Sequence, residues 1–128
     1  MKNSLISYTI IFAVIKANDG DCYTSNKLTK ENGDTFFAEA LIREGYFHFW
    51  IYFMGSSEEA KKYSSKCSIK NTSGEKFSYT GPVHILDKCC EDVVASGSLL
   101  SIGIDALKRS LSEEKGLDAR ITIRNLKE

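Results

Sequence analysis

At 128 residues the chain has room for one domain around a single core, and 42% hydrophobic with 27% charged residues is ordinary globular composition. Lys+Arg and Asp+Glu are both 17, so no basic surplus exists to neutralise phosphates, which argues against general nucleic-acid binding. No apolar run is long enough to cross a bilayer, so no membrane partner is expected.

The opening "MKNSLISYTIIFAVIKA" has Lys2, an apolar run from Leu5 to Ile15 and the small residue Ala17, which is the pattern of a secretory signal. Against it, Ser7, Tyr8 and Thr9 dilute the run, Lys16 precedes the would-be cut, and β-branched residues make "YTIIFAVI" a good buried strand. The strand is the preferred reading, and with it a cytoplasmic protein. The alternative is a secreted β-sandwich binding protein with Met1–Ala17 removed, in which the sequon Asn71-Thr72-Ser73 would carry a glycan. Cys22, Cys67, Cys89 and Cys90 are too sparse for a disulfide framework and are expected as reduced thiols.

Residues 1–34 read as this opening strand plus a polar loop or weak edge segment, and residues 35–128 as a sandwich, together one domain. "TFFAEALI" and "YFHFWIYFM" flank Arg43-Glu44-Gly45, a three-residue hairpin turn. In the second run Phe47, Phe49, Ile51 and Phe53 share a core face, while Tyr46, His48, Trp50, Tyr52 and Met54 share an amphipathic one. Ser56 and Glu59 form a capping box for a short helix ending near Tyr63. "SSKCSIKN" then alternates, with Cys67 and Ile69 inward, and turns into "FSYTGPV", where Pro82 demands a strand end, bulge or edge. A helical turn "EDVVAS", a strand "LLSIG", a helix "IDALKRSLSEE" and a strand "DARITIRN" complete the chain. The expected fold is mainly β: an antiparallel β-sandwich of about seven or eight strands with roughly two or three short helices.

Chemistry is sparse. His84 with Cys89 or Cys90 has the residue types of a Cys–His nucleophile, but nothing nearby supplies an oxyanion hole or a third orienting group. Cys67, Cys89 and Cys90 lack the paired spacing of zinc ligands, and His48 reads as a satisfied residue of an aromatic strand. Of the paired carboxylates, Glu58-Glu59 and Glu113-Glu114 read as solvated helix faces. No catalytic residue, metal ligand or cofactor is therefore expected. Tyr46, Trp50 and Tyr52 form either a peptide platform or a face covered by a second sheet, and both readings stand. Binding of a protein or peptide through a groove or sheet edge is the default function of such a module.

From Phe36 to Asn125 the order of features resembles the TRAF-like (MATH-like) substrate-binding domain of the seven-in-absentia (Siah) ubiquitin ligases. The residues that carry it are "FFAEAL", "FHFWIYFMGSSEEAKKY", "SSKCSIKN", "KFSYTGPVHILD", "EDVVASGSLLSI" and "LDARITIRN". The resemblance implies a homodimer that recruits targets for ubiquitin-dependent degradation by taking an extended peptide along a sheet edge. It implies peptide contacts from Tyr8, Ile10 and Phe12 on the opening strand and from Arg120 and Thr122 on the last. Ligases of that family add a RING and zinc fingers built from many Cys and His, whereas this chain has four Cys and two His. It is therefore expected to bind without transferring ubiquitin, as an adaptor or as part of a ligase.

Overall fold

The computed structural model describes residues 5–12, 20, 22–24, 27–30, 33–70, 75–108 and 117–126, and for residues 5–12, 23, 108, 117 and 118 the backbone alone. Two sheets carry the fold. One runs in the order β1 (Leu5–Phe12), β10 (Leu117–Asn125), β6 (Tyr63–Lys70), β7 (Lys76–Pro82), antiparallel throughout. The other centres on β4 (Thr35–Arg43) paired with β5 (Tyr46–Phe53). The short β2 (Cys22–Thr24) and β3 (Leu28–Thr29) share the outer side of β4. On the far side of β5, β8 (His84–Ile85) pairs in parallel and β9 (Leu100–Gly103) antiparallel. The helices are α1 (Ser57–Ala60), α2 (Cys90–Ser96) and α3 (Ile104–Lys108). This is the expected mainly antiparallel β-sandwich; β2, β3 and β8 are too short to display a period in sequence.

Alternation builds the core. Phe36, Ala38, Ala40 and Ile42 of β4 and Phe47, Phe49, Ile51 and Phe53 of β5 face Tyr63, Cys67 and Ile69 of β6 and Ala119, Ile121 and Ile123 of β10. All are buried, and each phenylalanine taken fully out of water contributes roughly 1.5–3 kcal/mol. The rings of Phe36, Phe53 and Tyr63 pack with centroids 5.0 to 5.5 Å apart.

Two local readings change, and the strand end expected at Pro82 is found. Arg43 pairs with Tyr46, so the hairpin loop is the two residues Glu44-Gly45 rather than three. Both have positive φ, 51° and 80°, as a type I′ turn requires. The capping box forms, with Glu59 N–H donating to Ser56 Oγ. Helix α1 nevertheless stops at Ala60, because Tyr63 is already the first residue of β6, buried and paired with Asn125. Pro82 ends β7, an edge strand, where its missing N–H costs no ladder bond. The sequon, the helix beyond Lys108 and Glu113-Glu114 lie outside the described residues.

Glu44 is a non-glycine residue held in the left-handed region, a cost of about 1 kcal/mol that asparagine largely avoids. Glu44→Asn should raise the urea midpoint by a corresponding amount; an unchanged or lower midpoint would contradict the turn assignment.

Candidate functional site

The two sheets differ in what covers their outer faces. On the six-stranded sheet Leu41, Trp50 and Tyr52 pack beneath Val93 of α2 and Leu99, with Phe37, Cys90 and Val94 at the margin. Trp50 and Tyr52 are 2% and 5% exposed, and their rings meet edge to face at 5.7 Å. They are no open platform, and their cover is a helix rather than a second sheet. Tyr46, at the hairpin end, is exposed.

The outer face of the four-stranded sheet carries exposed polar and charged side chains among the described residues, with Ser68 in its middle buried. The pairing register places Thr122, Lys66 and Thr80 in one row, Arg120, Ser68 and Ser78 in the next, and Lys70 opposite Lys76 in a third. Arg124 and Ser64 extend the face. Lys66, Lys70, Lys76, Arg120 and Arg124 are all exposed, and among the described side chains of this face there is no carboxylate. Like charges directly opposite each other, as at Lys70 and Lys76, are unfavourable until an anion meets them.

Strand β1 forms one edge of this sheet, beside β10. Tyr8 pairs with Ile121, Ile10 with Ala119 and Phe12 with Leu117, whereas Arg120 and Thr122 pair with Thr9 and Ser7. Cross-strand partners share a face, so the five predicted peptide contacts fall in two rows. One is the row of the buried Ala119 and Ile121; the other is the outer row of Arg120 and Thr122.

Each histidine is held by one hydrogen bond. His48 is buried with Nδ1 2.8 Å from Ser101 Oγ. His84, buried on the wall of an open cleft of about 810 Å³ between α1, β8 and α2, donates from Nε2 to the Ser98 carbonyl at 2.8 Å. Burial lowers the pKa of both, assisted by Arg43 at His48 and by Lys88 at His84.

The cysteines scatter. Cys67 is in the core, where burial pushes its thiol up to about 12. Cys89 caps α2, exposed; the Asp92 N–H draws its thiol down, but the Asp92 and Glu91 side chains and slight desolvation outweigh that and leave it raised. Cys90 instead meets Glu39 and Cys22, three donor atoms within 4.8 Å of one another. Burial, then Glu39 and Cys90, push the Cys22 thiol up to about 11, against the pull of Arg43. Sequence spacing carried no signal for this cluster, because its members come from three elements far apart in the chain.

Fold and faces together define an antiparallel β-sandwich with one helix-covered face and one polar, cationic face. No family model matches the chain, and no curated protein matches it.

Two outcomes follow from the protonation states. Unfolded, the imidazoles return to about 6.5 and bind protons more readily than in the fold, so stability declines as pH falls below that value. The urea midpoint should be lower at about pH 5.5 than at about pH 7.5, and less so in the chain with His48→Gln and His84→Gln; equal midpoints in the unaltered chain would count against it. In the reduced, chelator-treated protein, iodoacetamide near neutral pH should label the exposed Cys22 at least about tenfold more slowly than free cysteine. Peptide mass mapping reads that rate.

Proposed function

We propose that the chain is a protein-interaction module that takes an extended, acidic peptide against its four-stranded sheet. In this reading it resembles the substrate-binding and dimerisation domain of the seven-in-absentia ligases and recruits targets for ubiquitin-dependent degradation, without catalysis of its own. The observation that carries the reading is the exposed outer face of Lys66, Lys70, Lys76, Arg120 and Arg124 interleaved with Ser64, Ser78, Thr80 and Thr122. Cations attract and orient an acidic segment, and hydroxyls accept or donate hydrogen bonds along it. The β1 edge offers backbone groups to an added strand, which is how sheet-edge recognition gains affinity.

The mainly antiparallel sandwich is the fold class that the family resemblance implies. A cytoplasmic chain that keeps its N-terminus fits the eight-position pairing of β1 with β10, since removal of residues 1–17 would strip that strand and bare β10 as a new edge.

Fluorescence anisotropy with acidic and neutral extended peptides tests the reading. Acidic peptides should bind more tightly, and Lys66→Glu combined with Arg120→Glu should weaken them at least about tenfold, or about 1.4 kcal/mol. Sedimentation should show a dimer. A monomer that binds no member of an extended-peptide library, or binding that survives the double charge reversal, overturns it.

A further inference from the structure

We propose that Cys22, Glu39 and Cys90 form a binding site for one thiolate-preferring divalent metal ion of the zinc class, with three protein ligands and a fourth position open to solvent. This goes beyond peptide recognition and lies on the opposite sheet.

Geometry is the first argument. Around a tetrahedral zinc ion, Zn–S near 2.3 Å and Zn–O near 2.1 Å place two sulfurs about 3.8 Å apart and a sulfur and an oxygen about 3.6 Å apart. Cys90 Sγ lies 3.8 Å from Glu39 Oε2, and all three donor atoms lie within 4.8 Å of one another. Ion binding thus asks the widest pair to close by only about 1 Å. A disulfide would demand far more approach of the two sulfurs and would leave the carboxylate without a part.

The surroundings are those of a ligand set. Glu39 is a buried carboxylate, and its second oxygen, Oε1, accepts from Thr24 Oγ1, which leaves Oε2 directed at the cysteines. Outer hydrogen bonds of this kind orient ligating carboxylates. Tyr52 Oη, fixed by donating to the Lys88 carbonyl at 2.8 Å, sits 4.0 Å from Cys90 Sγ. Cys22 is exposed and gives the ion a path in.

Binding proceeds with both thiols losing their protons to solvent as two metal–sulfur bonds and one metal–oxygen bond form. The result carries one excess negative charge; Arg43, ion-paired with Glu91 at 3.4 Å, is a cation on this side of the sheet. Two thiolates and a carboxylate select zinc, or its cobalt and cadmium stand-ins, over magnesium or calcium. Because the ligands come from β2, β4 and the start of α2, the ion would pin the helical cover to its sheet.

The test uses the full chain, reduced with a phosphine and titrated with Co²⁺ and then Zn²⁺. We expect one Co²⁺ per chain with thiolate charge-transfer and visible ligand-field bands, bleached by one equivalent of Zn²⁺, and a higher melting temperature with Zn²⁺ than without. Cys22→Ser and Cys90→Ser should each weaken Zn²⁺ binding at least about tenfold and reduce the charge-transfer band. Glu39→Gln should weaken binding while keeping that band, and Cys89→Ser should match the unaltered chain. The unaltered chain alone decides the matter should a variant misfold: no thiolate band and no bound zinc overturns the site. So does binding that persists when Cys22 and Cys90 are both replaced, and so does a Cys22–Cys90 disulfide in a chain that takes up no zinc after reduction.

Discussion

Strand β5 is buried on both faces, and the rest of the architecture answers to that constraint. Its Phe47, Phe49, Ile51 and Phe53 row is satisfied by the second sheet, as in any sandwich. Its Trp50 and Tyr52 row is also apolar, and no third sheet exists among the described elements to meet it. The chain covers that row with α2 and Leu99, so one sheet face becomes a covered layer and the other remains the exposed one.

This division sorts the polar chemistry. Under the edge of the α2 cover, Glu39 of β4 stands opposite Trp50 in a largely apolar setting, where a carboxylate requires partners. Thr24, Cys90 and Cys22 are those partners, contributed by the edge strand beside it and by the start of the helix above it. On the exposed sheet the reverse holds. Water solvates Lys66, Lys70, Lys76, Arg120 and Arg124 without cost, so a chain of formal net charge 0 still presents, among the described side chains of this face, charges of one sign.

The stretch from Ser78 to Cys90 shows how crowded residue types resolve once they are folded. Pro82 ends an edge strand, Val83 enters the core, and His84 pairs within β8 and bonds to Ser98. Cys89 turns to solvent and Cys90 turns under the helix, because one caps α2 and the other is its first residue. Their adjacency in sequence therefore says nothing of a shared function.

By itself the sequence determined what depends on residues within a few positions of one another. The two faces of β5, the alternation of β6, the β4–β5 hairpin, the Ser56–Glu59 capping box and the strand end at Pro82 all follow from local period, turn chemistry and the missing proline N–H. Tertiary structure alone decided the rest. Strands β2, β3 and β8 exist because longer neighbours pair with them, not because two or three residues carry a period. The register of β1 on β10 set which of Tyr8, Ile10, Phe12, Arg120 and Thr122 share a row. The choice of a helix over a sheet as the cover of Trp50, and the meeting of Cys22, Glu39 and Cys90, depended on chain segments distant in sequence, whose separation carries no repeat or spacing for local reasoning to detect.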